Sequence, residues 1–176
     1  MNNQVEKVLQ MAMLDKKDFS LKATDINIHE IIGRAAENIS LSVERKEGKV
    51  TTDLQANKSI VEGDLTHISN IVNNLLDNAN KYSPEKPEIN ITTKNTVNRI
   101  NIVISDKGKG IKKEDINEIF NKFYRVSTGD VHNVKGFGLG LYYVKQMMNK
   151  HGGDVLIESE FGKGSSFTLS FPIIKE

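Results

Sequence analysis

Asn74-Leu-Leu-Asp-Asn-Ala-Asn-Lys-Tyr82 decides how this chain is read. Leu75, Leu76 and Ala79 fall on one stripe of a helix and supply its buried side. Asn74 and Asn78, four residues apart, then emerge together on another face, with Lys81 three residues beyond Asn78. A lone asparagine in mid-helix is ordinarily a solvated residue. Two on one face, followed by a lysine, make a polar edge with a use. The amide oxygen is a hard neutral ligand of the kind Mg²⁺ accepts beside phosphate oxygens and water. The helix that carries them spans Asp64 to Tyr82 and is stopped by Ser83-Pro84.

Two glycine clusters follow. Asp106-Lys-Gly-Lys-Gly110 comes directly after the apolar strand Ile100–Ile104, and Gly136-Phe-Gly-Leu-Gly-Leu141 opens another long helix. Bare backbone at such junctions can approach a polyphosphate, and at a helix start the N–H groups and the positive end of the dipole face it. A carboxylate at a strand end can accept the exocyclic amine of adenine, where guanine offers a carbonyl instead. Asp106 has that place, although an Asp-x-Gly turn would use the same residues. Gly108-Lys-Gly110 lacks the third glycine of a dinucleotide fingerprint, and no Gly-x-x-x-x-Gly-Lys-Ser/Thr occurs, which excludes a P-loop.

Further out, the pattern is mixed α/β. Ile28 to Glu47 is helix-like, with Asn27 as N-cap and Glu30 three residues on. Lys49–Ala56 alternates as a strand, and Glu88–Thr93 with Arg99–Ser105 form a hairpin across Lys94–Asn98. Lys113–Phe123 reads as a short helix, Asn121 to Val134 as a polar irregular stretch, and Leu139 to His151 as the third long helix, ended by Gly152-Gly153. Val155–Glu158 and Ser166–Phe171 make a second hairpin turned at Gly162-Lys-Gly164. Helices gathered on one side of a mainly antiparallel sheet give a two-layer α/β sandwich. Residues 1–20 read as a separate amphipathic helix through Val5, Val8, Leu9, Ala12 and Met13, followed by a linker from Asp18 to Asp25.

Bulk properties set limits on function. A chain of 176 residues with net charge +1 gives no electrostatic case for nucleic acid. With no cysteine it has neither a disulfide framework nor a thiolate zinc site, as expected in a reducing cytoplasm. No apolar run reaches the roughly 18–20 residues that span a bilayer.

The ordered set of motifs resembles the N, G1 and G2 boxes of the GHKL ATP-binding superfamily, and within it the catalytic and ATP-binding domain of sensor histidine kinases. Ile119-Phe-Asn-Lys-Phe-Tyr-Arg125 resembles the F box, and Phe161-Gly-Lys-Gly164-Ser-Ser166-Phe-Thr168 the final glycine box. The likeness covers roughly residues 25–172. It implies a Bergerat fold, an α+β sandwich with a mixed, mainly antiparallel sheet of about five strands packed on three long helices. It implies that residues 1–24 are the stub of a preceding dimerisation and phosphotransfer helix plus linker, and that 25–176 are the catalytic domain. An N-terminal helix folded onto the domain is the alternative for the first segment.

The same likeness assigns roles. Asn78 ligates Mg²⁺, Asn74 lies beside the phosphates, and Lys81 reaches them. Tyr82 packs on adenine or simply closes the helix against the sheet, and Arg125 is a lid-side arginine near the γ-phosphate or an ordinary exposed one. Asp106, Gly108, Gly110 and Ile111 form the base end, with Thr168 touching it through water. Phe120 anchors a lid spanning about Lys107 to Val134, and Gly136, Phe137, Gly138, Leu139, Gly140 and Leu141 form its hinge. Asn74, Lys81 and Arg125 are thus the expected catalytic set, with ATP or ADP and Mg²⁺ as cofactors. Hydrolysing relatives carry a glutamate four positions before the metal asparagine. Here that position is Asn74, which cannot accept a proton from water. The implied activity is therefore transfer of the γ-phosphoryl group to a histidine of a separate domain in two-component signalling. A non-catalytic nucleotide-sensing module is the alternative.

The implied partners are the phosphoacceptor-histidine domain of a homodimeric full-length kinase and a response-regulator receiver domain. Nucleic acid and direct membrane contact by this segment are not expected. The implied location is cytoplasmic, with the full-length protein expected to be anchored in the cell membrane. His29-Glu-Ile-Ile-Gly-Arg34 partly resembles a phosphoacceptor motif, but it lacks the proline and starts the first helix of the domain, so His29 reads as a helix-start residue.

Overall fold

The computed structural model describes residues 20–83, 85–126 and 137–174. The amphipathic segment 1–19 therefore lies outside the described residues. Strand β1 (Thr24–Asn27) leads directly into helix α1 (Ile28–Glu44), where the Asn27 side chain accepts a hydrogen bond from the His29 N–H at 3.0 Å. That bond satisfies one of the donors left over at a helix start. Ile28, Ile31, Ile32, Ala35 and Val43 form the buried stripe of α1. His29 is the helix-start residue that its sequence context implied, and its Nε2 meets Thr93 Oγ1 at 2.9 Å.

Strands β2 (Lys49–Leu54) and β3 (Ile60–Gly63) precede helix α2 (Leu65–Lys81). Asp64 caps α2 by accepting from the N–H groups of Thr66 and His67 at 3.0 and 3.2 Å. Ile68, Ile71, Val72, Leu75, Leu76 and Ala79 face the core, as the helical stripe required. The hairpin of β4 (Glu88–Asn95) and β5 (Arg99–Asp106) follows, then helix α3 (Lys113–Ile116), helix α4 (Gly140–Lys150) and the hairpin of β6 (Asp154–Glu160) and β7 (Gly164–Pro172).

The main sheet has five strands in the order β2-β4-β5-β7-β6. Only β2 with β4 is parallel, which the intervening β3 and α2 allow by carrying the chain across the sheet. Ile89 and Ile91 of β4, Ile100, Ile102 and Ile104 of β5, and Phe167, Leu169 and Phe171 of β7 are buried on one face. The alternate residues form the other face. The long helices α1, α2 and α4 cover the apolar side, so the two-layer α+β sandwich is observed.

Three details depart from expectation. Thr24–Asn27 is a strand, not linker, and pairs antiparallel with Ile60–Gly63 in a second, two-stranded sheet. Each strand is four residues long, too short to show a convincing period. The helix expected over Lys113–Phe123 stops at Ile116 and continues as turns. Helical geometry does not reach Phe123, whose N–H donates to Gly138 O at 3.1 Å and whose φ is 66°.

Where α4 ends, a polar cluster ties β3, α2 and α4 together. The buried His151 donates from Nδ1 to Met147 O at 2.7 Å and accepts at Nε2 from the Asp64 N–H at 3.1 Å. Only the neutral ring can do both. Burial holds its pKa below the usual imidazole value, with the His67 charge acting the same way and the Met147 bond and Asp64 opposing. The fold therefore keeps full benefit of His151 above the ordinary imidazole pKa and loses it as pH falls through the lower folded-state value. The urea midpoint should accordingly be lower at pH 5.5 than at 7.5. His151→Gln should shrink that difference, leaving a remainder from His29, whose pKa burial also lowers. An unchanged difference in the variant would show that His151 is not the titrating group.

Candidate active site

The C-terminal half of α2, the loop after β5 and the start of α4 converge. Asn74 donates from Nδ2 to Asn70 O at 2.8 Å, which aims its oxygen at the neighbouring helix. A Cβ built on Gly140 would lie 2.9 Å from Asn74 Oδ1, so α4 begins close against that amide. Unlike α1 and α2, α4 has no side-chain cap: Leu139 occupies the cap position without such a hydrogen bond. Its first-turn N–H groups and the positive end of its dipole suit an anion. Asn78 lies one turn along α2 from Asn74, with its side chain partly exposed. Among the described residues no three His, Asp or Glu gather as a metal cage. A Mg²⁺ ion fits such an edge only with Asn78 as a single protein ligand and phosphate oxygens and water completing its shell.

At the sheet end, Asp106 closes β5. Its carboxyl accepts from the Gly108 N–H at 2.8 Å and from the Ser165 N–H. Burial pushes its pKa above the ordinary carboxylate value, and those two backbone bonds oppose the rise. Such a group is a strong acceptor held in a site with little competing water. Beside it, Tyr82 caps α2 at its C-terminal end and takes the Lys109 N–H on its carbonyl at 3.0 Å. Burial raises the Tyr82 phenol, while the charge of Arg125 acts in the opposite direction, which brings the side chain of Arg125 into electrostatic reach of the ring. Lys81 Nζ stands 5.2 Å from the centroid of the same ring. Asn74 thus meets Gly140, Lys81 and Arg125 lie within reach of Tyr82, and the Tyr82 carbonyl adjoins Gly108 beside Asp106.

Several glycines and apolar residues have packing reasons instead. A Cβ on Gly110 would sit 2.0 Å from Glu160 O, and Gly110 has φ +64°, so close packing on the β6–β7 turn explains it without a ligand. The Ile111 N–H donates to Ser159 Oγ at 2.8 Å, bracing the loop on that hairpin. Ile111, Phe120 and Leu141 are half-buried against the core, and Leu139 is buried in it. Gly138, at φ +69°, would place a Cβ 2.4 Å from Tyr124 O, so it clamps the start of α4 to the Phe123–Tyr124 turn. Tyr124 holds that turn to α3 by donating to Asp115 Oδ1 at 2.6 Å, a bond that pushes its phenol to about 12. Phe137 is exposed. Gly136 and most of the polar stretch expected in the lid, residues 127–136, lie outside the described residues.

Thr168 is not brought to this edge. It pairs with Val103 and Leu156, while Phe167 and Leu169 on either side of it face the helices, so Thr168 faces the opposite side of the sheet. Ser165 stands in register with Asp106 and shares the helix-facing side. Counting strand parity back from the buried Phe167 would have selected it. Ser83, buried at 2% exposure beside Asp106 and Gly108, also escaped notice because it sat in what read only as a helix stop.

Comparison with known proteins follows the same lines. The profile of the histidine kinase-, DNA gyrase B-, and HSP90-like ATPase family matches residues 63–175. The chain is 44% identical over 176 residues to the sensor protein RprX of Bacteroides fragilis, covering 98% of the chain and 34% of that protein. It is 30% identical over 174 residues to the sensor histidine kinase WalK of Bacillus subtilis, covering 98% and 28%. The chain thus spans about a third of these relatives' length. Among solved structures, the catalytic domain of histidine kinase ThkA superposes with TM-score 0.75 at 24% identity, covering 86% of this chain and 98% of that one. Full-length ShkA in complex with AMPPNP gives 0.85 at 22% identity, covering 99% and 36%. These two likenesses concern the fold. With the profile spanning most of the chain, the protein belongs to the histidine kinase-, DNA gyrase B-, and HSP90-like ATPase family.

Proposed function

We propose that this domain binds Mg·ATP along the edge formed by α2, the loop after β5 and the start of α4, and presents its γ-phosphoryl group to a histidine of another domain. The observation that carries this is the meeting of Asn74 with Gly140 at the uncapped start of α4. An anion site and a neutral amide stand together where a hydrolysing enzyme would need a base. Asp106 takes the adenine amine, Tyr82 flanks the base, and Lys81 and Arg125 supply positive charge toward the phosphates. When bound, Mg²⁺ held by Asn78 would neutralise phosphate charge, which is most of what phosphoryl transfer requires besides positioning. The attacking nitrogen comes from outside the site.

Residues 25–176 form the catalytic unit in this proposal, and 1–24 connect it to a preceding phosphotransfer helix. β1 begins at Thr24, next to that boundary. The full-length protein would act as a membrane-anchored homodimer and pass its phosphoryl group to a receiver domain. Among solved relatives, ThkA has been captured with the response regulator TrrA. No helix among the described residues is long and apolar enough to cross a membrane.

The test supplies a separate acceptor-histidine domain and labelled ATP. An acid-labile label should appear on the acceptor and none on this chain, with ATP bound far more tightly than GTP. His29 is expected to stay unlabelled because its ring is engaged with Thr93 at the start of α1. Tight ATP binding with no transfer to any acceptor would favour a nucleotide-sensing module. An acid-labile label on this chain that His29→Gln removes would overturn the role given to His29.

A further inference from the structure

Ser83 is 2% exposed, and its Oγ has no hydrogen-bond partner among the described residues. A buried hydroxyl left so is destabilising, and native folds rarely keep one without a use. Its position suggests that use. The point where a Cβ would stand on Gly108 is 2.7 Å from Ser83 Oγ, 2.7 Å from Asp106 Oδ1 and 2.6 Å from Tyr82 O. Ser83 Oγ thus packs against Gly108 alongside the carboxylate assigned to the adenine amine.

The base-pairing edge of adenine sets a donor, the N6 amine, next to an acceptor, N1. A carboxylate that takes N6–H leaves N1 facing the same wall and in need of a donor. Three nearby backbone donors are engaged elsewhere: the Gly108 N–H on Asp106, the Lys109 N–H on Tyr82 O, and the Ile111 N–H on Ser159 Oγ. The hydroxyl of Ser83 is not.

We propose that Ser83 is a base-recognition residue that donates, directly or through one water, to N1 of the adenine held by Asp106. This rests on the ATP reading of the site. Asp106 and Ser83 together would then present the acceptor–donor pair complementary to the N6–N1 edge. Guanine, with a carbonyl and an N–H at those positions, offers the reverse pattern.

Titration calorimetry with Mg²⁺ tests it, using ATP and the analogue whose N1 is replaced by C–H, on the wild-type chain and on Ser83→Ala. The wild type should bind the analogue about 3- to 10-fold more weakly than ATP, the worth of one neutral hydrogen bond. Ser83→Ala should lose a similar factor for ATP and bind the analogue no more weakly than wild type does. Its thermal midpoint without nucleotide should not fall, because the substitution removes an unpaired buried group. Equal losses for both nucleotides would show that Ser83 only shapes the pocket, and no loss for either would make it a spectator. Both results overturn the proposal. A wild-type chain that binds neither nucleotide overturns the ATP reading and this assignment with it, an outcome distinct from the other two.

Discussion

Asp106→Asn is expected to weaken ATP binding about 30- to 1000-fold without making the free domain less stable. The first effect comes from removing the charged partner of the adenine amine in a site with little water, about 2–4 kcal/mol. The second follows from the sign of the Asp106 shift. Burial raises its folded pKa above the unfolded value, so its contribution to stability is full below the unfolded pKa and is lost as pH rises through the folded one. Ionising the carboxyl in the empty fold therefore costs some stability. Asparagine removes the charge and keeps one oxygen to accept from Gly108 or Ser165. Calorimetry with Mg·ATP and urea denaturation at pH 7 check the two halves separately. Equal ATP affinity in both proteins would sink the base assignment, and a clear loss of stability would make Asp106 a structural turn residue.

The second large effect concerns Asn78. Asn78→Ala should lower phosphoryl transfer to an added acceptor domain by about 10³-fold or more, equivalent to ~4 kcal/mol of lost transition-state stabilisation. Its side chain is partly exposed and belongs to no buried cluster, so the far-ultraviolet circular dichroism spectrum should not change. Nucleotide binding measured without divalent ions should differ little between variant and wild type, whereas the gain in affinity on adding Mg²⁺ should shrink. A variant that keeps the full magnesium response would place the ion on other groups.

What could be read in the chain alone was whatever depends on local spacing. The interval of four between Asn74 and Asn78, the cap at Asn27, the helix start at Asp64, and the stripe of Leu75, Leu76 and Ala79 are all settled within one or two helical turns. The β4–β5 and β6–β7 hairpins join neighbours in sequence, so their pairing was equally legible. The order of glycine boxes pointed to the family before any contact was known.

Tertiary structure decided everything that joins distant segments. Strands β1 and β3 exist because each is the other's partner, and four residues of either carry no period that announces it. The segment after Lys113 is not helical as far as Phe123, whose N–H is taken by Gly138, far along the chain. Ser165 rather than Thr168 reaches Asp106 because a one-residue step along a strand reverses its face, and only the register with β5 says which residue is opposite. The apposition of Asn74 with Gly140 and of Ser83 with Gly108 likewise depends on how closely backbones pack. Residue type and spacing specify which atoms are available within an element. Which atoms meet across elements depends on packing, whose closest approaches a sequence does not encode locally.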